Sequence, residues 1–269
     1  MPNEGNIVHP ITVIGIGRSG TTLLQACFQA HPDVQALNET GGLIFGLAAG
    51  AFECPLPSKA RFANEYEYAG YVIRETLLAI EPSKKPFWFH KPIGLPKLVN
   101  WCWQEGQRTS SGFPVEWYWK VLLGAFPEAI YIFCLRNPWD VVLSWQRFAG
   151  WEQVDIWRDI ADAHEAIEMG WGRLRDTYFF EDFIDDPELV LMHMCRSIGV
   201  QFHSSMLTSF EERQAMRPED TIMRDYRSSW DDCVDPSLSH DDAEKIVKIW
   251  KLNGRHFDSP RQHRDLFVF

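Results

Sequence analysis

Apolar and polar positions fall into alternating blocks along the chain. Largely apolar segments at Ile11–Ile14, Val34–Leu37, Pro86–His90, Ala129–Leu135 and Thr177–Phe180 read as strands. Ala129–Leu135 is a continuous apolar run bounded by Pro127 and Pro138, which suits a strand buried on both faces. Between them, apolar residues recur at helical spacing in Glu65–Ala79, Val115–Ala125, Trp139–Phe148, Ile156–Leu174 and Leu189–Ile198. A further helix begins at Leu23-Leu24 and stops at His31-Pro32. Near the C-terminus, Ser239 and Asp242 form a capping box for a helix running to Asn253-Gly254. Strands alternating with helices predict an α/β fold with an open, mainly parallel sheet flanked by helices on both faces. At 269 residues, 1–269 read as a single domain able to bury a full core, without internal repeat or low-complexity linker.

Open parallel sheets bind ligands beyond the carboxyl ends of their strands. The first strand runs into Gly15-Ile16-Gly17-Arg18-Ser19-Gly20-Thr21-Thr22. Glycines let the backbone approach an anion, and the helix start adds unpaired N–H groups and the positive end of a dipole. The sheet is therefore of P-loop type, with a site for phosphate or sulfate. The spacing Gly15-x4-Gly20 matches an ATP-type phosphate loop, but Thr21 stands where that motif needs lysine. The positive charge has moved to Arg18, which points to an anionic nucleotide other than ATP.

The fourth strand ends in Arg136-Asn137-Pro138-Trp139-Asp140, and Ser144 follows eight positions after Arg136. Asn137 can cap a helix whose first residue is Pro138, where a missing N–H costs nothing. Ser144 then lies about two turns along, on the face that carries the cap. A guanidinium with a hydroxyl can clamp a second phosphate. Glu39 and Lys91 stand at the ends of the second and third strands.

The Arg-Ser-Gly-Thr-Thr loop resembles the 5′-phosphosulfate loop of the sulfotransferases that use 3′-phosphoadenosine 5′-phosphosulfate (PAPS). The Arg-Asn-Pro-x-Asp…Ser element is similar to the one that holds the donor's 3′-phosphate. Tyr178-Phe179-Phe180-Glu181-Asp182-Phe183, with Asp186-Pro187-Glu188, resembles a segment of the bacterial members, with Phe180 in place of the usual tyrosine. That segment reads as mostly structural. The resemblance runs from about Ile11 to Gly199 and is to the bacterial and tyrosylprotein-like branch. It implies that Arg18, Ser19, Gly20, Thr21 and Thr22 hold the 5′-phosphosulfate, and that Arg136 and Ser144 hold the 3′-phosphate. PAPS would be the donor and PAP the product, with no metal required.

Glu39, in Asn38-Glu39-Thr40, occupies the position where the tyrosylprotein-like branch carries its glutamate base. Partial burial there would make the carboxylate a better proton acceptor. Lys91, in His90-Lys91-Pro92, matches the lysine that meets the bridging and transferring oxygens, a charge role in the transition state. The cytosolic branch instead uses a histidine after that lysine, and here Pro92-Ile93-Gly94 follows. His90 precedes Lys91, and adjacent side chains on a strand point to opposite faces, which favours Glu39 over His90 as base.

A formal net charge of −11 disfavours nucleic acid as a partner. The scattered cysteines Cys27, Cys54, Cys102, Cys134, Cys195 and Cys233 have no zinc-like spacing or disulfide framework, which points to a reducing compartment. Neither a signal peptide nor a transmembrane segment is legible, since Gly41–Phe52 is too short and glycine-rich, so the expected location is cytoplasmic. Ten of the 12 tryptophans fall between Trp88 and Trp171 and read as core packing before an aromatic acceptor pocket. Gly41–Lys85 and Asn100–Phe113 are expected to wall the acceptor side.

The expected activity is sulfuryl transfer from PAPS to a hydroxyl of a small-molecule, lipid or saccharide acceptor. Two alternatives remain open: a P-loop kinase or NTPase, and a nucleotide-binding relative that has lost catalysis. The first would want lysine at Thr21 and a strand-end Asp for Mg²⁺. The segment Arg224–Trp230 has two arginines of its own that could touch the 3′-phosphate.

Overall fold

A computed structural model describes residues 9–53, 61–80, 85–92, 115–150 and 153–216, together with Asp241, Glu244 and Lys248. Among these residues, five parallel strands form one sheet: β1 (His9–Gly15), β2 (Val34–Glu39), β3 (Phe87–Lys91), β4 (Ile130–Leu135) and β5 (Leu174–Phe179), in the order β2-β3-β1-β4-β5. Successive residues alternate between two cores. Ile11, Val13, Phe89, Ile132 and Cys134 face one, and Ile14, Trp88, Tyr131, Phe133 and Leu135 face the other. That division is the period-two pleat of strands buried on both sides.

The first core is closed by α1 (Thr21–Gln29), α8 (Pro187–Ile198) and α9 (Ser205–Met216), with the short α7 (Phe180–Asp185) at its edge. The second is closed by α2 (Gly41–Glu53), α3 (Glu65–Ile80), α4 (Val115–Ala125), α5 (Pro138–Ala149) and α6 (Gln153–Met169). Helices on both faces of an open parallel sheet are the architecture expected from the sequence. The chain leaves β1 toward β2 on one side and reaches β4 on the other, so the β1 loop opens at the switch point where such sheets bind ligands.

Two expectations need correction. The long helix expected at Ile156–Leu174 ends at Met169, is followed by a 3-10 turn at Trp171–Arg173, and Leu174 already belongs to β5. Gly170 marks the break because its Cα lies against the Trp119 indole, where any side chain would overlap. Phe180, expected in the strand, starts α7. Gly41–Glu53, at the start of the Gly41–Lys85 segment expected to wall the acceptor side, is a helix whose Ile44, Phe45 and Ala48 sit in the core.

The described tryptophans follow the packing reading: Trp88, Trp117, Trp119 and Trp157 are buried, and Trp139, Trp145 and Trp171 pack against the same core. Cys27, Cys134 and Cys195 are buried free thiols. No helix among the described residues is long and apolar enough to cross a membrane. Ser239 and Asp242, Asn100–Phe113, Arg224–Trp230, and Cys54, Cys102 and Cys233 lie outside the described residues. Asp241, Glu244 and Lys248 are helical, as expected there.

Candidate functional site

The loop between β1 and α1 needs two left-handed residues to turn its N–H groups inward. Gly20 adopts φ 83° and Arg18 adopts φ 72°. Gly20 meets that demand without a Cβ, and a Cβ there would overlap the ring of Phe180. Arg18 has no such freedom, so its conformation costs of order 1–3 kcal/mol and must be held by its surroundings.

Contacts to both its backbone and its side chain hold it. Arg136 Nη1, at the end of β4, donates to the Arg18 carbonyl at 2.9 Å. Arg18 Nε donates to Ser144 Oγ at 2.9 Å, while its guanidinium lies 4.8 Å above the centre of the Phe148 ring. Ser144 therefore meets Arg18 directly, and Arg136 meets the backbone of the same residue. The expected phosphate-binding groups are gathered, but in a different pairing from the one spacing suggests.

Helix α1 begins without help from a side chain. Its cap residue Gly20 makes no side-chain cap hydrogen bond, and no acidic residue occupies the first turn. Such a terminus favours an anion. Thr21 and Ser19 are buried, and Ser19 Oγ has no hydrogen-bond partner among the described residues. The Ser19 carbonyl lies 2.7 Å from the Cys134 thiol, which is also 2.7 Å from Tyr178 Oη. An uncapped helix start, an orphaned buried hydroxyl and two nearby guanidiniums fit a dianionic group in the cradle.

Asn137 caps α5 as the sequence predicts, accepting from Trp139 N at 2.9 Å ahead of Pro138. Its own N–H donates to Glu181 Oε1 at 2.7 Å. Glu181 is buried, within the Tyr178–Phe183 segment that the sequence reads as mostly structural. Phe180 nevertheless carries the Arg136 guanidinium 4.4 Å from its ring centre. A carboxylate flanked by aromatic residues directly after a strand was the available signal. Trp145, one turn before Phe148, packs against Gly17 on the same loop, and a Cβ there would lie 2.6 Å from the indole.

Lys91 joins the loop to the second strand. Its ammonium donates to Thr22 Oγ1 at 2.8 Å and pairs with Glu39 Oε1 at 3.2 Å. Lys91 is only 2% exposed, whereas Glu39 is 62% exposed. Burial pushes the lysine below its ordinary pKa, and the neighbouring Glu39 partly offsets that. The partial burial expected for Glu39 is absent, and its contact with Lys91 is what orients it.

His90 occupies the opposite face, as strand alternation requires. It is fully buried against Trp88 and Phe126. Its Nε2 lies 2.7 Å from Thr12 Oγ1 and its Nδ1 lies 3.2 Å from Thr40 Oγ1. Burial holds the imidazole neutral, with its pKa lowered to about 3. Among the described residues, no group of His, Cys, Asp and Glu is placed to hold a metal ion.

Comparison with known proteins places this geometry in context. The model of the Sulfotransferase family matches residues 10–204. A search of curated protein sequences finds no significant match. The fold is similar to the sulfotransferase domain from the Synechococcus PCC 7002 olefin synthase, with a TM-score of 0.57, 16% identity, and coverage of 95% of this chain and 98% of that one. It is also similar to the sulfotransferase domain from the curacin biosynthetic pathway, with a TM-score of 0.51, 13% identity, and coverage of 94% and 98%. At these identities the likeness is one of fold.

Proposed function

The chain belongs to the Sulfotransferase family, and on that premise we propose that it moves a sulfuryl group from PAPS to a hydroxyl of a small-molecule, lipid or saccharide acceptor. The observation that carries the reading is Lys91. Its buried ammonium touches the phosphate-loop helix through Thr22 and the end of β2 through Glu39. One cation thus lies between the anion cradle and the carboxylate able to take the acceptor's proton.

Ser19, Gly20, Thr21 and Thr22 would hold the 5′-phosphosulfate with the first-turn N–H groups of α1. Arg18, Ser144 and Arg136 would hold the phosphates, with Arg18 reaching the 3′ side through its contact with Ser144. When bound, the donor supplies a sulfuryl group on a 5′-phosphate that departs as PAP. Glu39 accepts the proton of the acceptor hydroxyl. Lys91 opposes the negative charge that grows at the leaving oxygen, and it holds Glu39 beside the loop. The phosphate cradle and the Arg18 latch fix the donor before transfer, and loose sulfuryl-like transition states depend on such alignment. In this reading all chemistry belongs to one domain of a cytoplasmic protein and calls for no metal.

The test is transfer of label from sulfuryl-labelled PAPS to a panel of hydroxyl compounds, with PAP formed in equal amount. Glu39→Gln keeps shape and hydrogen bonding but removes the base, so turnover should fall about 10²–10⁴-fold while PAPS affinity persists. A Glu39→Gln protein that turns over at the wild-type rate would reject Glu39 as the base.

A further inference from the structure

The pairing of β2 with β3 is irregular at the point that matters. Val34, Gln35 and Ala36 lie opposite Phe87, Trp88 and Phe89, and the register then shifts so that Glu39 lies opposite Lys91. Regular continuation would have set Asn38 opposite Lys91 and turned Glu39 to the other face of the sheet. The bulge is therefore what puts the carboxylate on the lysine's face, at the expense of ladder hydrogen bonds.

Side chains on the far face hold the shifted register. Thr40, the next residue, donates its N–H to the Lys91 carbonyl at 3.2 Å. Its hydroxyl meets His90 Nδ1, and His90 Nε2 meets the hydroxyl of Thr12, the residue directly opposite in β1. The result is a buried hydroxyl–imidazole–hydroxyl chain from the central strand to the end of β2. The His90 ring is fixed between Trp88 at 5.7 Å and Phe126 at 4.6 Å, centre to centre. A hydroxyl can donate or accept, so both nitrogens are satisfied in either tautomer of the neutral ring.

We infer that Thr40 and His90 are positioning residues for Glu39: through the Thr12–His90–Thr40 chain they hold the bulge that presents its carboxylate to Lys91 and the acceptor. The inference rests on the proposed role of Glu39 as base. Neither residue touches donor or acceptor, so their loss should act on turnover and leave donor binding in place.

Thr40→Val removes the hydroxyl at nearly constant volume, and Thr40→Ser restores it. Thr40→Val should lower kcat by about 10²-fold, the scale of a 1 Å misplacement, with KM for PAPS and PAP affinity little changed. Thr40→Ser should recover most of that loss. His90→Gln keeps an amide near the Nε2 position and forfeits the Thr40 arm, so it should match Thr40→Val, and the double variant should be no worse than either alone. Melting temperatures are recorded for all variants, and Thr40→Ser supplies the readout should Thr40→Val or His90→Gln not fold. Wild-type kcat in Thr40→Val beside an impaired Glu39→Gln would overturn the positioning role and leave the base assignment standing. A loss in Thr40→Ser equal to that in Thr40→Val, or additive losses in the double variant, would overturn it as well. Wild-type turnover in Glu39→Gln would remove the base assignment and the inference with it.

Discussion

Arg18 and Ser144 are separated by 126 positions of chain and joined by one hydrogen bond of 2.9 Å, from Nε to Oγ. That bond ties the phosphate loop to helix α5, and it explains why a non-glycine residue is retained in a left-handed conformation. The side chain contributes charge where glycine would contribute only freedom.

Substitution of Arg18 by glycine separates these two effects. Relief of the left-handed penalty, about 1–3 kcal/mol, is offset by the lost contacts to Ser144 and Phe148 and by the extra freedom of glycine in the unfolded chain, about 0.5–1 kcal/mol. Stability should therefore change little, while PAP affinity falls by about 1.5–3 kcal/mol with the loss of a charged donor. Denaturant unfolding and calorimetry on the same variant check both halves. Unchanged PAP affinity would assign Arg18 to the loop's architecture alone.

Gly20→Ala should be severe. It combines a left-handed L-residue with overlap against Phe180, and costs of about 1–2 and 1–3 kcal/mol add at the same position. The expected loss of about 2–5 kcal/mol is read from urea unfolding. Phe180→Ala should cost less in the Gly20→Ala background than in wild type, because it also clears the overlap. A Gly20→Ala protein as stable as wild type would contradict the packing of Phe180 on the loop.

At Lys91, charge and binding can be separated. Lys91→Met should lower kcat by about 10²–10³-fold, the scale of one lost oxyanion donor, with a smaller effect on PAP affinity. Burial holds the lysine below its ordinary value of 10.5. With the ammonium as the proposed active form, turnover should decline as pH rises through that lowered value. Lys91→Arg stays charged at every accessible pH, so whatever its absolute rate, its profile should lack this alkaline decline. A normal kcat with weakened PAP binding in Lys91→Met would make the residue a uniform binding contact.

Two of the buried imidazoles contribute to the response to acid. His90 and His164 have pKa values lowered to about 3 by burial, against an ordinary 6.5. Between those values the unfolded chain binds protons that the folded chain refuses. Stability is therefore full above about pH 6.5 and falls as the pH drops toward 3, by about 1.4 kcal/mol per pH unit for each histidine. His164→Gln should flatten the slope of unfolding free energy against pH by that amount. An unchanged slope would contradict burial of a neutral His164.

Much of the sheet was legible because buried parallel strands are largely apolar, and each of the five segments read as a strand overlaps one. The loop and the Asn137-Pro138 cap were legible because their backbone demands select residue types. Three features were hidden by their dependence on distant chain. The bulge that turns Glu39 to the Lys91 face depends on hydroxyls from β1 and from the start of α2. Ser144 pairs with Arg18 because the αL backbone at Arg18 aims its side chain along α5, which residue spacing does not encode. Helix α2 was missed because Gly41, Gly42, Gly46 and Gly50 depress its propensity, and its burial against α3 and α4 outweighs that cost.

Calorimetric titration with PAP, AMP and ATP separates a PAPS site at the β1 switch point from an ATP site. The 3′-phosphate should be worth about 2–5 kcal/mol through its charged contacts, so PAP should bind roughly 30-fold or more tightly than AMP. ATP should gain nothing comparable from Mg²⁺, and Arg136→Ala should erase most of the preference for PAP. Equal affinity for PAP and AMP, or a Mg²⁺-dependent preference for ATP, would contradict the account.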